Sequence, residues 1–241
     1  DKDLLYSSAL YEDGATTLEA AQKAKLRAIL DSLRLEPGMS MLEIGAGWGA
    51  LALAASRDHG VSVRGITLSH EQLAHARARA QREGLDEQVR FDLEDYRDVT
   101  GQYDRIVSVE MIEAVGEQNW PRYFRTLHDR LKPGGIATLQ AITIGEEHFE
   151  TYRRQPDFIQ RYIFPGGMLP TKTILADQAR TAGFRYEPVL ECGASYARTL
   201  SEWRTRFEAA WPEIETLGFD DRFRRKWRYS LAYCEAGFRE G

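Results

Sequence analysis

The stretch Met41-Leu42-Glu43-Ile44-Gly45-Ala46-Gly47-Trp48-Gly49 decides the fold. Met41 to Ile44 is a short apolar run and predicts a buried strand. Glycines at 45, 47 and 49 interrupt it, and Ala50 to Ser56 resumes at helical spacing. A strand that passes through glycines into a helix lets the backbone approach a ligand at the helix N-terminus. A dinucleotide-binding loop reads G-x-G-x-x-G, with an acid about twenty residues on for the ribose. Here the spacing is G-x-G-x-G, Glu43 precedes the first glycine, and the next strand ends in Ile66-Thr67-Leu68 without a carboxylate. A nicotinamide dinucleotide is therefore not the expected ligand.

Outward from this loop, strands and helices alternate. Thr17 is a plausible N-cap for a helix carrying Leu18, Ala21, Leu26, Ile29, Leu30 and Leu33, stopped by Pro37-Gly38. Further strands are expected at 61–67, 89–92, 104–109, 136–144 and 184–191, with helices at 48–58, 71–83, 120–131, 171–182, 201–211 and 220–238. Strands alternating with helices predict an α/β fold, a mostly parallel sheet with helices on both faces. Between Glu146 and Gly167 the alternation lapses. Phe149, Tyr152, Phe158, Ile159, Tyr162, Ile163 and Phe164 make this the most aromatic part of the chain. It reads as a helical insertion over the carboxyl ends of the sheet or as a core-covering helix pair. In the last helix Phe223, Trp227, Leu231, Cys234 and Phe238 share one face, and Arg222, Arg224, Arg225, Lys226 and Arg228 are assigned to the other.

Composition narrows the functional classes. With 241 residues the chain can form one domain with a full core, and no linker divides it. A formal charge of −5 argues against a general nucleic-acid binder. No apolar run approaches the roughly twenty residues of a membrane span, and no leader-like segment opens the sequence. The expectation is a cytoplasmic protein with reduced Cys192 and Cys234. Five scattered histidines offer no metal-ligand spacing, so no metal is expected.

The glycine loop resembles the S-adenosylmethionine loop of class I methyltransferases, which are Rossmann-like. Six other segments join it: Tyr6-Ser7-Ser8-Ala9, Gly65-Ile66-Thr67-Leu68-Ser69, Asp104-Arg105-Ile106-Val107-Ser108, Met111-Ile112-Glu113, Tyr162-Ile163-Phe164-Pro165-Gly166-Gly167 and Tyr196-Ala197-Arg198-Thr199-Leu200. Together they resemble the cyclopropane-fatty-acid synthase family, which includes the mycolic acid cyclopropane synthases. The resemblance covers nearly the whole chain as a single methyltransferase domain, with an insertion or lid at about 146–170. It also implies further residues before Asp1 and a final strand beyond Gly241.

The resemblance implies transfer of a methyl group from S-adenosylmethionine to the cis double bond of a phospholipid acyl chain. Loss of a proton to a bound bicarbonate would then close a cyclopropane, and other fates would give a methyl or methylene branch. The bicarbonate cradle maps onto Ser8, Glu113, Gln140, Ile142 and Tyr196. Ser8 stands where many relatives have cysteine, and Gln140 where many have histidine. For the cofactor, the resemblance implies Glu43, Gly45, Gly47, Trp48 and Gly49 at the methionine portion. Thr67, Leu68 and Gln72 would face the ribose, Asp95 and Tyr96 the adenine, and Tyr6 and Ser7 would close over it. Glu110 is either near the cofactor's ammonium group or a solvated loop acid. Expected partners are phospholipid acyl chains at a membrane surface, reached by peripheral association through the basic run of the last helix, with a homodimer allowed and no nucleic acid. Two other readings stand beside this one: a methyltransferase of the same fold acting on a soluble small molecule, and a non-catalytic homologue that keeps the cofactor pocket.

Overall fold

The computed structural model describes residues 1–11 and 14–240. In chain order the elements are α1 (Leu18–Ser32), β1 (Ser40–Ile44), α2 (Ala50–His59), β2 (Ser62–Thr67), α3 (His70–Glu83), β3 (Val89–Leu93), β4 (Tyr103–Val109), α4 (Trp120–Arg130) and β5 (Leu131–Gln140). There follow α5 (Glu146–Arg154), α6 (Phe158–Tyr162), α7 (Lys172–Thr181), α8 (Gly193–Ala209), α9 (Trp211–Thr216) and α10 (Asp221–Glu240). Side chains start the helices as the sequence predicts. Thr17 Oγ1 accepts from Ala20 N at 3.2 Å, and Ser69 Oγ accepts from Gln72 N at 3.2 Å.

The residues fall into two compact units. The first comprises 1–7, 26–155 and 166–189 and holds the sheet. Its five strands run in the order β3-β2-β1-β4-β5, every neighbouring pair parallel. Successive residues of a strand point to opposite faces. On β1, Met41 joins one apolar cluster with Leu33, Leu53, Val63, Phe91 and Val107, while Leu42 and Ile44 join another with Ile66, Ile106, Trp120, Tyr123 and Leu127. Both faces of the sheet are therefore covered, as parallel sheets require. Chain order runs outward from β1 to β3 and then returns to β4. The loops leaving β1 and β4 thus meet at the switch point of the sheet, where folds of this kind open toward ligands.

The second unit comprises 8–25, 156–165 and 190–241 and is helical. Glu235 of α10 is buried and is held by Arg204 of α8 at 2.9 Å and by Arg239 at 2.6 Å. Breaking one partner of such a charge cluster costs far more than the cluster contributes. The N-terminal segment is fastened by Ala9 N donating to Thr199 Oγ1 at 3.1 Å and Tyr11 N donating to Ser195 Oγ at 2.9 Å. No helix among the described residues is long and apolar enough to cross a membrane.

Three expectations are corrected. Residues 184–191 form no strand. Their period-2 pattern specifies a face, but a strand also needs a ladder partner, and among the described residues β5 pairs only with β4. The fifth strand covers 131–140 rather than 136–144. Its ladder with β4 passes from Tyr103↔Leu131 to Arg105↔Ile136, so Lys132-Pro133-Gly134-Gly135 is absorbed as a bulge instead of ending a helix. The helix expected from Ser201 starts at Gly193, which places Tyr196 on α8. The aromatic stretch after β5 becomes α5, whose Phe149 is buried in the first unit, and α6 in the second.

Gly65 marks the tightest packing in the sheet. A Cβ built there would stand 2.7 Å from Phe91 Cδ1 and 2.9 Å from Ala46 Cβ. Gly65→Ala is expected to lower the unfolding free energy by about 1–3 kcal/mol through overpacking, seen as a lower urea midpoint at unchanged m. An unchanged midpoint would mean that Phe91 moves aside freely.

Candidate active site

The loop leaving β1 is pinned to the end of β2. Gly45 N and Ala46 N both donate to Ile66 O, at 3.0 and 2.8 Å. Gly45, Gly47 and Gly49 take φ of 81°, 54° and 88°, a region that side chains disfavour. The would-be Cβ positions also show what covers each glycine. At Gly45 it meets Met111 Cγ at 3.3 Å, at Gly47 the Tyr6 ring at 3.3 Å, and at Gly49 Phe91 Cζ at 2.9 Å.

Several of the residues assigned by resemblance to the cofactor meet here. The Tyr6 ring lies over Gly47 with 60 % of its surface exposed, and its hydroxyl accepts from Gln72 Nε2 at 3.2 Å. Gln72 Oε1 in turn accepts from Thr67 Oγ1 at 2.8 Å. Leu68 beside them is exposed, Trp48 stands edge-on to His75 with centroids 5.3 Å apart, and Glu43 and Ser7 are buried. Asp95 is turned to its own loop. Its carboxylate accepts from Arg97 Nε at 2.9 Å and Nη2 at 2.6 Å, which holds it below the usual carboxylate range. Tyr96 is half-buried edge-on to Tyr123, centroids 5.5 Å apart, and burial pushes its phenol up.

The loop leaving β4 carries the acids. Glu110 sits at φ 48°, an uncommon conformation for a residue with a side chain. Gln140, the last residue of β5, clamps it twice: Glu110 N donates to Gln140 O at 2.8 Å, and Gln140 Nε2 donates to Glu110 Oε1 at 2.7 Å. A short 3-10 turn, Ile112–Ala114, then presents Glu113. Its Oε1 accepts from Ile142 N at 2.5 Å, and its carbonyl accepts from Met168 N at 2.8 Å. Oε2 is buried with no hydrogen-bond partner. Burial pushes the Glu113 carboxyl up to about 8; the Ile142 N–H opposes the shift and the Glu110 charge adds to it. At neutral pH Glu113 is therefore a neutral acid with an O–H to give.

The two remaining residues of the expected cradle lie in the second unit. Ser8 is buried and its hydroxyl donates to Ala9 O at 2.9 Å. Tyr196 is buried on α8, its ring stacked on Phe238 at 4.4 Å and 25°. Sequence reading missed the Glu110–Gln140 clamp, which joins residues thirty apart, and the Met111 contact with Gly45. It also missed the closure of Asp95 on Arg97, for which the Asp-x-Arg spacing was an available signal.

The profile of the mycolic acid cyclopropane synthetase family matches residues 1–241. Among curated proteins the chain is 43% identical over 249 residues to the tuberculostearic acid methyltransferase UfaA1 of Mycobacterium tuberculosis, covering 100% of this chain and 58% of that one. It is 44% identical over 239 residues to the cyclopropane-fatty-acyl-phospholipid synthase of Escherichia coli, covering 99% of this chain and 60% of that one. The chain thus spans about three-fifths of the length of these relatives. The crystal structure of the mycolic acid cyclopropane synthase CmaA1 complexed with SAH and CTAB superposes with a TM-score of 0.93 at 31% identity, covering 100% of this chain and 87% of that one.

The Glu113 shift has a consequence for stability. Its carboxyl titrates near 4.5 when unfolded and near 8 when folded. Between those values the unfolded chain has lost the proton that the native state keeps, so this group's contribution to stability falls as pH rises and levels off above pH 8. Glu113→Gln removes that slope. The loss of unfolding free energy between about pH 5 and about pH 8 is expected to shrink by on the order of a few kcal/mol in the variant. Urea titrations at both pH values measure it, and equal slopes in parent and variant would mean that Glu113 is ionised in the fold.

Proposed function

The chain belongs to the mycolic acid cyclopropane synthetase family, and on that premise we propose that it transfers a methyl group from S-adenosylmethionine to the cis double bond of an unsaturated phospholipid acyl chain. Loss of a proton from the new methyl gives a cyclopropane or a methylene branch, and loss from a neighbouring chain carbon gives a methyl branch on a retained double bond. The observation that carries this reading is the buried Glu113, with one carboxyl oxygen unpartnered, on the turn whose Met111 packs against Gly45 of the glycine loop.

S-adenosylmethionine would supply an electrophilic methyl group on a positively charged sulfur. The residues present fit it: Gly45 and Gly47, at positive φ, let the loop turn tightly at the end of β1, and the exposed Tyr6 ring, tied to Gln72, stands over Gly47 as a cover. Thr67, Leu68 and Gln72 would line the ribose. Asp95 and Tyr96 would face the adenine, with the Asp95 carboxylate sharing itself between the exocyclic amine and Arg97. Glu43, Trp48 and Gly49 would lie at the cofactor's methionine portion, and Ser7 would close over it with Tyr6.

An alkene is a weak nucleophile, so its alignment and the exclusion of water carry much of the catalysis. Methyl addition leaves a cation on the acyl chain. A carboxylate beside it would add to it or bind it, whereas a neutral acid does neither. Glu113 is suited to that setting, and its free O–H suits an anion. A bicarbonate there would supply the base that takes the proton. Glu113, Gln140, Ile142, Tyr196 and Ser8 are the residues we assign to it. The amides of Ile142 and Gln140 are engaged by Glu113 and Glu110, so these bonds would have to be shared or exchanged on anion binding.

Mass spectrometry of unsaturated phospholipid incubated with the protein and S-adenosylmethionine tests the reading, with a gain of one CH₂ per acyl chain expected. Glu113→Gln is expected to lower product formation by on the order of a hundredfold or more, while calorimetry shows cofactor affinity changed by less than about threefold. Turnover of the variant at the parental rate would remove Glu113 from the chemistry.

A further inference from the structure

The basic run of α10 is not the single face that the sequence suggests. Arg224 turns to Glu208, with its Nη2 2.7 Å from Oε2, and Arg228 also faces Glu208 at 3.7 Å. Arg222, Arg225 and Lys226 have no carboxylate within ion-pair distance among the described residues. Arg222, Lys226, Tyr229 and Tyr233 fall at i, i+4, i+7 and i+11, one stripe along the helix, with Arg225 beside it. The opposite side carries Leu231 and Phe238 and is spent on packing within the second unit.

This stripe does not end at α10. Phe158 of α6 packs edge-on to Tyr229 at 4.6 Å and against Tyr162 at 5.2 Å, Tyr229 stacks with Tyr233 at 6.0 Å, and the Tyr233 hydroxyl donates to Asp157 Oδ2 at 3.1 Å. Tyr229, Tyr233, Tyr162 and Phe164 are all exposed. At the other end, the turn before α10 holds out Leu217, 75 % exposed, and beside it Phe219, 42 % exposed, rests one face on Phe223 with centroids 4.3 Å apart. Exposed apolar and aromatic residues arrayed together mark an interaction surface. Tyrosines carry an apolar body with a polar tip, which suits the headgroup level of a bilayer, and unpaired cations suit its anionic charge.

We propose that the outer face of α10, continued by α6 and the 217–219 turn, is a docking surface for an anionic lipid bilayer. Leu217 and Phe219 enter the acyl boundary, the tyrosines lie at the headgroups, and Arg222, Arg225 and Lys226 meet lipid phosphates. The inference rests on the lipid-methylating reading, because an acyl chain must be drawn from a bilayer. An acidic protein partner would use the same charges but has less need of the exposed Leu217 and Phe219.

Co-sedimentation with vesicles of phosphatidylcholine, with and without phosphatidylglycerol, tests it. Binding is expected to rise with phosphatidylglycerol and fall with salt. The triple substitution Arg222→Gln, Arg225→Gln, Lys226→Gln is expected to weaken it by about a hundredfold, near fivefold per residue. Leu217→Ser with Phe219→Ser is expected to weaken it at every salt concentration. A control triple elsewhere, Arg82→Gln, Arg125→Gln, Arg185→Gln, is expected to bind as the parent does. Equal binding by parent and the α10 triple variant, equal loss in the control, or indifference to phosphatidylglycerol would each overturn the surface. Turnover on detergent-dispersed phospholipid separates the two readings. Activity retained there with vesicle binding lost in the α10 variant supports the surface, whereas absent activity with normal vesicle binding would fail the lipid-methylating reading alone.

Discussion

The path of the backbone out of β1 is the constraint on which the rest of the first unit depends. Gly45 and Ala46 both give their N–H groups to one carbonyl, that of Ile66, which folds the loop back against β2. Gly49, at the start of α2, and Gly65, on β2, then face the same ring, Phe91, so the loop, β2 and β3 form a single packed body. A side chain at these positions would strain the φ angle at Gly49 and collide with Phe91 at both. The result is a loop kept thin by packing on one side and free on the other, where Tyr6 lies across it.

The switch-point topology sets this loop beside the one that leaves β4, and there the chemistry changes from space to protons. Glu110 and Glu113 lie three residues apart in a tight turn, yet their surroundings differ. Glu110 accepts a side-chain hydrogen bond from Gln140, while Glu113 is driven into the interior with one oxygen on the Ile142 amide and one on nothing. Burial and the neighbouring charge both favour the neutral form of Glu113. An unpaired buried carboxyl oxygen is costly to a fold. Such a cost is tolerated where a group has another use, and donating an O–H toward a bound anion is the use we assign to it.

Much of the fold was legible because its signals are local. The glycine loop, the apolar runs of β1 to β4 and the caps at Thr17 and Ser69 depend on residues within a few positions of one another. What escaped depends on distant partners. The alternating residues of 184–191 look like a strand until a ladder is required. The Pro-Gly-Gly after Leu131 looks like a stop until β4 takes it up as a bulge. The cradle residues were found only by resemblance, and their hydrogen bonds were not readable. Gln140 reaches Glu110 across two strands, and the state of Glu113 is set by how deeply it is buried rather than by its neighbours in sequence. On α10 the five basic residues looked equivalent, and Glu208 of α8 divides them.

The central claim is that a methyl group reaches an acyl double bond and that a proton is then lost. Supplying S-adenosylmethionine with a fully deuterated methyl group and following the acyl chains of unsaturated phospholipid by mass spectrometry tests both halves together. Acyl chains that gain one carbon are expected, bearing two deuterons where the proton leaves the new methyl to give a cyclopropane or methylene branch, and three where it leaves the chain to give a methyl branch. Acyl chains that remain unlabelled while the cofactor is consumed, or a label found only on a water-soluble product, would contradict it.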